Sequence, residues 1–508
     1  MEAMYNLFVG DPSMILTKEL AFLKAKEEFQ NMIELAKQAA NNGVLIHEVE
    51  TDLWAGLLKM GRHMLQGYVD AQGTGDIGPT LEYEGQALNR LDGLFNRRYV
   101  SIFGDLRISR TVYGTRLTQK FEMIPLDARL GLPESDFSYV LQGWDQSFCV
   151  HNSFDTSRHN IQRILGLGQT IGSLEQMNRS MADDVEAFHA AQPVPPPEQE
   201  ASILVLTADG KGVPMRRDPK QDAPAPSGRL KKGQKAGKKR EACVGGVYTV
   251  EPFVRTAEDV VDEVLRKKSK EKRPVPKNKK LRAALTQEID GQEVKGKEQI
   301  FSWFAEQAQT RNKDGTKPIV CVMDGARSLW TMLARYVVGV ICILDIYHAL
   351  EYLWSAAYCF FPEGSDEAEA FVTERLKRIL EGNVGYVIGG LKQMNTKGDL
   401  SKSKREQLSK VIVYLKNNRK IMKYDEYLAK GYPIGSGVVE GACRHLVKDR
   451  MEGTGMRWRV AGAQAMLNLR AVFLNDDWDC FQQYRIELNC QKLYPYQMKV
   501  ESKWEKVA

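Results

Sequence analysis

Two short apolar runs in this sequence end in the same way. One covers residues 203–207 and is followed by Asp209 and Gly210. The other lies in the segment 317–327 and ends just before Asp324, which is also followed by a glycine. Continuous apolar runs of this length are typical of strands that are buried on both faces of a sheet. A single Asp-Gly pair favours a hairpin turn, but its recurrence after a second buried run predicts two carboxylates on one sheet edge. Such a pair is half of a metal-binding carboxylate cluster.

The pattern beyond the second acid continues as helix and strand. It predicts a helix over 328–338 and a strand over 340–344 that ends at Asp345, with His348 three residues later. With a further strand over 242–250, the predicted order is strand, hairpin strand, strand, helix, strand with Asp, helix, strand. This is the order of the ribonuclease H-like fold, which is an α/β architecture. A site of that kind needs a third acid from a later helix.

Residues 432–458 supply the candidate for the third acid. Ser436 is predicted to cap a helix on which Glu440, Arg444 and Lys448 follow at intervals of four residues and share one face. A ladder of surface ion pairs has the same spacing. The neighbouring acids favour the other interpretation, a metal-binding acid flanked by cations for a scissile phosphate and the adjoining DNA backbone. The residues predicted to face inward are Val439, Cys443, Leu446 and Val447.

The remaining sequence indicates several domains. Breaks at Pro362, Gly382 and Gly398 divide residues 360–431 into helices, which predicts an all-helical insertion in the core. The run PVPPP at 193–197 predicts a stiff, extended linker. The predicted divisions are 1–82, an N-terminal helical region; 83–192, a DNA-binding region; 193–200, the linker; 201–361 and 432–490, the two parts of the core; 362–431, the insertion; and 491–508, a C-terminal tail.

Residues 154–188 have the pattern of a helix-turn-helix. Ser173 with Gln176 three residues later predicts a capping box at the start of the second helix. The apolar stripe of that helix leaves Asn178 and Arg179 facing outward, where a recognition helix contacts base edges. Ordinary packing of two amphipathic helices gives the same pattern, so this interpretation depends on the rest of the chain.

Basic residues are concentrated in a few segments. Alternation over 97–116 predicts a small antiparallel sheet with a cationic face, although an ordinary solvated face is the alternative. Residues 228–240 contain seven Lys or Arg and no acid, which predicts a mobile loop that orders on a phosphate backbone. A nuclear-localisation signal or a solubilising run is the alternative for this loop. The candidate phosphate-binding residues are Arg97, Arg98, Arg107, Arg110, Lys231, Lys232, Lys235, Lys238, Lys239 and Arg240.

Composition excludes several other classes of protein. The chain has 508 residues, of which 43% are hydrophobic, so it is long enough for two to four domains with buried cores. The eight cysteines include no CxxC pair, which argues against a structural zinc site or a disulfide framework and predicts buried thiols. No apolar run is long enough to cross a membrane, and residues 1–17 lack the pattern of a secretory signal. The expected location is the cytoplasm.

These motifs resemble those of the DDE transposases of bacterial insertion sequences. The matching segments are TADGKGVPM, VMDGARSLW, LDIYH, YPIGSGVVEGACRHLVKDRMEGTGMRW and GAQAMLNLRA, and they span about residues 97–484. The similarity is to the Kra-type group and, more distantly, to the Mutator-like transposases. The resemblance implies a triad of Asp209, Asp324 and Glu440 that holds the metal and catalyses the reaction. It implies supporting roles for Asp345, His348, Arg444 and Lys448.

The resemblance also implies an activity and partners. The protein would hold two Mg²⁺ ions, with Mn²⁺ as a substitute, bind terminal inverted repeats of double-stranded DNA, and then cleave and transfer strands. It would act as a homodimer or a larger homo-oligomer, near the nucleoid of the bacterial cytoplasm and away from membranes. Relatives often carry a zinc-binding cysteine pair where this chain has TVYGTRLTQKFEMIPLD, so no zinc contact is implied there. The alternatives are an inactive transposase-derived DNA-binding protein and a ribonuclease H-like nuclease or resolvase that cleaves without strand transfer.

Overall fold

The protein is described from a computed structural model, and its chain forms two compact units. The terminal unit is built from Met1–Asp184 and Trp478–Ala508, and the central unit is built from Val185–Asp477. Among the described helices, none is both long and apolar enough to cross a bilayer. The residues that the structure describes are 20–83, 85–115, 123–217, 238–265, 273–289 and 291–507.

The strands of both units are numbered in chain order. They are β1 (Thr80–Tyr83), β2 (Gln86–Arg90), β3 (Phe95–Ser101), β4 (Gly104–Arg110), β5 (Tyr113–Gly114), β6 (Ile203–Met215), β7 (Lys238–Val250), β8 (Lys277–Leu285), β9 (Gln287–Ile289), β10 (Gln292–Val294), β11 (Ile319–Met323) and β12 (Val340–Leu344).

The α-helices are numbered in the same way. They are α1 (Leu23–Asn42), α2 (Ile46–Asp70), α3 (Pro125–Leu130), α4 (Tyr139–Cys149), α5 (Phe154–Leu165), α6 (Ile171–Ala182), α7 (Val185–Ala191), α8 (Ala257–Val264), α9 (Gly296–Arg311), α10 (Arg327–Tyr336), α11 (Ile346–Ala357), α12 (Asp366–Leu380), α13 (Val384–Lys397), α14 (Lys402–Asn418), α15 (Tyr424–Ala429), α16 (Gly437–Ala442), α17 (Asp449–Met451), α18 (Val460–Leu474), α19 (Trp478–Leu493) and α20 (Gln497–Val507). Pro197–Gln199 and Arg419–Ile421 are 3₁₀ turns, and Cys443–Lys448 is a π-helical turn.

The terminal unit combines helices with two small antiparallel sheets. Helices α1 and α2 form a hairpin, and Gly43 turns the chain between them with a φ of 63°. Strands β1, β2 and β5 form one sheet, and β3 and β4 form the other. Tyr494, Tyr496 and Val500 are buried in a core with Leu81. The predicted C-terminal tail, 491–508, therefore includes a packed helix.

The predicted helix-turn-helix differs from the structure in two respects. Helix α6 begins after Thr170, whose hydroxyl accepts a hydrogen bond from the backbone N–H of Ser173 at 3.0 Å. The prediction that Ser173 caps this helix is therefore wrong. Helix α6 ends at Ala182, and the apolar residues that follow lie on the separate helix α7, which belongs to the central unit.

The central unit contains a five-stranded mixed sheet with the order β12-β11-β6-β7-β8. Strands β6, β11 and β12 are parallel, whereas β7 and β8 are antiparallel to their neighbours. On β6, Ile203 and Val205 pack into a core with helices α8 and α11–α15, and Leu204 and Leu206 pack into a second core with α9 and α10. The prediction of a strand buried on both faces is confirmed, because helices cover each side of the sheet.

Helices α12–α15 occupy the region where the sequence predicted an all-helical insertion. They share a hydrophobic core with the sheet. Helix α15 also covers the edge strand β12, because the hydroxyls of Tyr424 and Tyr427 donate to the carbonyls of Leu344 and Cys342 at 2.8 and 3.1 Å. These bonds satisfy acceptors that an open sheet edge leaves free for another chain.

Candidate active site

Three neighbouring parallel strands reach aspartates at the same level of the central sheet. Ala208 of β6 is the register partner of Met323 of β11, which is in turn the partner of Leu344 of β12. Because parallel strands run in one direction, their carboxyl ends meet at one edge, where α/β sheets commonly bind ligands. The residues that follow these three partners are Asp209, Asp324 and Asp345.

Asp209 lies within strand β6 and not at its end. The pairing of β6 with β7 continues to Met215 and Lys238, so the prediction that the strand stops at this acid is wrong. Its Oδ1 accepts a hydrogen bond from the N–H of Gly210 at 2.6 Å, and its Oδ2 accepts one from Sγ of Cys443 at 3.3 Å. Burial and the charge of Asp209 raise the pKa of the Cys443 thiol, which keeps the thiol protonated as a donor.

Asp324 is held by the turn that follows it. Its Oδ1 accepts a hydrogen bond from the N–H of Ala326 at 2.9 Å, and its backbone carbonyl accepts one from the indole of Trp330 at 2.7 Å. The pKa of Asp324 is raised above its ordinary value. Burial is the main cause and the negative charges of Asp209 and Asp345 add to it, whereas the hydrogen bond from Ala326 opposes it. The charges of Asp209 and Asp345 therefore repel that of Asp324, and a bound cation would relieve this repulsion.

Asp345 is fully buried, and both of its carboxylate oxygens accept hydrogen bonds within the protein. Oδ1 caps helix α11 by accepting from the N–H of Tyr347 at 2.8 Å. Oδ2 accepts from the N–H of Ser436 at 3.3 Å and from the Ser436 hydroxyl. The Ser436 side chain does not cap α16, so that prediction is wrong. Its hydroxyl instead joins the start of α16 to the end of β12.

Within the described part of the chain, one group of three potential metal ligands converges. Asp345, His348 and Glu440 each offer an atom within 4.8 Å of the other two. Nδ1 of His348 lies 3.4 Å from Oδ2 of Asp345. This contact raises the pKa of His348 to about 9, although burial opposes it. His348 is therefore a cation at neutral pH, and it must lose its proton before it can bind a metal.

Glu440 reaches the aspartates from a later helix. Glu440 lies on α16 with part of its surface exposed, and partial burial together with the charge of Asp345 raises its pKa, whereas the charge of His348 lowers it. The charge of Asp209 also raises this pKa. Asp345 and Asp209 are therefore close enough to Glu440 for their charges to affect its pKa.

A buried arginine that was not predicted supports the segment after Glu440. Residues Cys443–Lys448 form a π-helical turn, an irregularity often found at functional sites. Arg470 of α18 is buried, and it donates from Nε to the carbonyl of Leu446 at 2.9 Å and from Nη2 to the carbonyl of His445. The available sequence signal is a single Arg in the apolar run VAGAQAMLNLRAVFL.

The predicted face shared by Glu440, Arg444 and Lys448 is not a regular α-helical stripe. All three side chains are exposed, but the π-helical turn contains Arg444 and Lys448 and changes the direction of their side chains. Nε of Arg444 lies 3.9 Å from Oδ1 of Asp449. The prediction of an uninterrupted helix is therefore wrong, while both cations are exposed at the surface.

The cationic hairpin β3–β4 is only partly available to DNA. Arg97 and Arg110 are largely buried, and both donate to Oδ2 of Asp127, at 2.9 and 2.5 Å. The prediction that these two arginines contact phosphates is wrong, because a buried carboxylate already holds them. Arg98 and Arg107 are exposed register partners on the other face of the hairpin, and they remain candidates.

The two candidate base-reading residues of α6 have different environments. Asn178 is only 1% exposed, and its Nδ2 donates to Oε1 of Gln146 at 2.9 Å. The prediction that Asn178 faces outward is wrong, because this amide pairs with an amide of helix α4. Arg179 is exposed.

The basic loop prediction covers residues with different structures. Lys238, Lys239 and Arg240 are the first residues of β7, so for them the prediction of a mobile loop is wrong. Nζ of Lys239 donates to Glu452 at 2.5 Å, and Nη1 of Arg240 donates to the carbonyl of Thr286 at 2.9 Å. The loop residues Lys231, Lys232 and Lys235 lie outside the described residues.

The structure therefore places five of the predicted site residues in one region of the central unit. Neither comparison with models of known protein families nor comparison with curated proteins finds a match to this sequence. The residues that the structure places together are Asp209, Asp324, Asp345, His348 and Glu440.

Proposed function

We propose that this protein is a DDE-type DNA transposase whose ribonuclease H-like core is the central unit. The observation that carries the proposal is the placement of Asp209 and Asp324 at one level on adjacent parallel strands, with a ligand atom of Glu440 within 4.8 Å of one from the neighbouring Asp345. The sheet order β12-β11-β6-β7-β8 puts the first acid on the middle strand and the second on its parallel neighbour. This arrangement is the one expected for a ribonuclease H-like core.

The donor set fits Mg²⁺, because carboxylate oxygens are the hard ligands that this ion prefers. Asp209, Asp324 and Glu440 would hold the two ions, which would activate a water or 3′-hydroxyl and stabilise the leaving oxygen. Asp345 is assigned to positioning, because hydrogen bonds within the protein already occupy both of its oxygens. The group of Asp345, His348 and Glu440 is the competing ligand set.

The residues around the acids have defined tasks in this proposal. Cys443 orients the carboxylate of Asp209, and the indole of Trp330 fixes the strand end at Asp324. The carboxylates would hold the metal ions at which the scissile phosphate reacts. The imidazolium of His348 lies beside these carboxylates, and its positive charge would attract that phosphate. Exposed Arg444 and Lys448 would contact the adjoining DNA backbone.

A strand-cleavage assay tests the proposal. The full chain is incubated with Mg²⁺ and a plasmid that carries its coding sequence with the flanking DNA. We expect nicks at the ends of the element and, when target DNA is added, joined products. An Asp324→Asn preparation serves as the control for contaminating nucleases.

Each other outcome identifies an alternative. Cleavage without joining would favour a nuclease or resolvase, and end binding without cleavage would favour an inactive descendant. The absence of both binding and cleavage would overturn the proposal.

A further inference from the structure

A cavity of about 770 Å³ opens beside the strand end that carries Asp324. Its lining begins at Gly325, the next residue, and continues along helix α10, the turn before β12 and the end of helix α14. The indole of Trp330 lines the cavity and also donates to the backbone carbonyl of Asp324. The cavity and the proposed catalytic acid therefore share a wall.

Helix α14 packs closely against this strand end and forms part of the same wall. A Cβ atom on Gly325 would lie 2.4 Å from Cε2 of Tyr414, so only glycine fits there. The ring of Tyr414 is stacked on that of Tyr352, with centroids 3.6 Å apart and an angle of 7° between the planes. The aromatic side of the cavity is thus built before any ligand enters.

The lining joins an apolar surface to cations at the mouth. Trp330, Leu333 and Val337 supply apolar surface, and Val338 at the rim is 89% exposed. The volume and the mainly apolar lining are typical of sites for small organic groups. An exposed apolar rim next to such a cavity can stack on a planar group as it enters.

Arg327 and Lys420 also line the cavity and are exposed. Neither forms an ion pair with a carboxylate among the residues that the structure describes, so both charges are available to an anion. The amide of the exposed Asn417 lies in the same lining and offers both a donor and an acceptor. Apolar walls, an amide and cations together match the base, the base edge and the phosphates of a nucleotide.

We propose that this cavity binds one unstacked base of the DNA strand that enters the active site. Arg327 and Lys420 then contact the phosphates beside that nucleotide, while its base lies against the apolar wall that contains Trp330. The choice of DNA as the ligand rests on the proposed function. Two separate cations match the single charges of phosphodiesters better than the concentrated charge of a triphosphate.

A binding assay without chemistry tests this assignment. Fluorescence anisotropy measures the affinity of the full chain, in EDTA, for a single-stranded oligonucleotide and for a matched strand in which hydrogen replaces every base. We expect the complete strand to bind about tenfold more tightly, since stacking of a base on aromatic side chains is worth that much or more. The two strands carry the same phosphates, so the ratio isolates the contribution of the bases.

Filling the cavity gives the decisive comparison. Ala334 lies exposed in the lining on α10, and Ala334→Trp is expected to reduce the affinity ratio to about one without removing a cation. Ala370→Trp, at an exposed alanine of α12 outside this lining, should keep the ratio. If Ala334→Trp fails to fold, Val338→Asp at the rim is expected to lower the ratio, because a hydrated carboxylate replaces apolar surface that the base contacts. Its repulsion of the phosphates acts on both strands and cancels in the ratio.

An unchanged ratio in the folded Ala334→Trp or Val338→Asp protein would overturn the proposal. Displacement of the complete strand by an equal concentration of a free deoxynucleoside monophosphate would assign the cavity to a free nucleotide and overturn its assignment to a DNA strand. The two failures are distinguishable. Loss of plasmid cleavage with this metal-free ratio intact contradicts only the proposed function, whereas a ratio of about one in the unaltered protein that still cleaves the plasmid contradicts only the assignment of the cavity.

Discussion

The hydroxyl of Ser436 donates a hydrogen bond to Oδ2 of the buried Asp345. The N–H of Ile346 donates to the carbonyl of Ile434 at 2.9 Å, which adds a second connection between the same two segments. Glu440 follows Ser436 by four residues on α16. The position of this acid relative to the aspartates on the strands therefore depends on the contact between Ser436 and Asp345.

Ser436→Ala is expected to lower the free energy of unfolding by about 1.5 to 3 kcal/mol, since it removes a hydrogen bond to a buried charge. It should also raise the Mg²⁺ concentration needed for half-maximal cleavage, because Glu440 is less firmly placed. Urea unfolding and a Mg²⁺ titration measure the two effects. The matched control is Ser365→Ala, which removes the cap of α12 at a cost of about 1 kcal/mol and should leave the titration unchanged. An unchanged titration in Ser436→Ala would limit this serine to a structural role.

Asp209→Asn, Asp324→Asn and Glu440→Gln are each expected to abolish cleavage while DNA binding persists. The carboxylates serve the metals, whereas arginine and lysine contacts to phosphate supply affinity. Cleavage rates, DNA binding by anisotropy and Mn²⁺ binding by calorimetry measure the three properties. His348→Gln should reduce cleavage without abolishing it. Loss of Mn²⁺ binding in His348→Gln but not in Asp209→Asn would instead favour the ligand set of Asp345, His348 and Glu440.

Asp145 makes the stability of the terminal unit depend on pH. Burial raises the pKa of this fully buried carboxyl from 3.8 to about 7, although Gln169 offsets part of the effect. The folded state holds the proton of Asp145 more tightly than the unfolded state does. The contribution of this proton to the free energy of unfolding is therefore fully present below about pH 4 and is lost as the pH rises through 7. Asp145→Asn, which mimics the protonated side chain, should therefore raise Tm more at pH 8 than at pH 4. Asp52→Asn, at an exposed position, is the control, and an equal change at both pH values would contradict the assignment.

Glu200 and Arg311 form a buried ion pair in the central unit, with both side chains 1% exposed and N–O distances of 2.8 and 3.0 Å. Burial alone would raise the pKa of Glu200, but hydrogen bonds from Arg311 and Thr249 hold it below its ordinary value. Arg311→Leu should cost about 3 to 5 kcal/mol, because it leaves a buried charge without a partner. The double variant Glu200→Leu with Arg311→Leu should cost less than Arg311→Leu alone. Urea unfolding of the unaltered protein, the single variants Arg311→Leu and Glu200→Leu, and the double variant tests this, and additive losses would contradict it.

Arg107 and Arg97 offer a matched test of the hairpin as a DNA-binding surface. Arg107→Gln should lower the slope of log affinity against log salt by about one and leave Tm unchanged, because this arginine is exposed. Arg97→Gln should lower the free energy of unfolding by about 1.5 to 3 kcal/mol, because it removes a hydrogen bond to the buried Asp127, which keeps Arg110 as a partner. Anisotropy at several salt concentrations and urea unfolding separate the two effects. An unchanged slope in Arg107→Gln would remove this face from the proposed interface.

The central sheet was the most predictable part of the molecule. The predicted strand 340–344 coincides with β12, and the predicted helix 328–338 corresponds to α10 (Arg327–Tyr336). These elements are encoded by short apolar runs and by glycines next to them, which are properties of neighbouring residues. The same local signals predicted an aspartate directly after the apolar run of each parallel strand. They could not show that β6 runs on past Asp209, because its continuation depends on pairing with β7 across the intervening residues 216–237.

The sequence by itself determined which apolar runs form the buried strands and that an acid follows each run, since apolar periodicity is a local property of the chain. Only the tertiary structure decided which polar groups are free. Asn178 is bonded to Gln146, Arg97 and Arg110 share Asp127, and Asp345 is occupied by Ser436, 91 residues away. A local pattern cannot predict such pairs, because a buried polar group takes whichever partner the packing of distant elements brings to it.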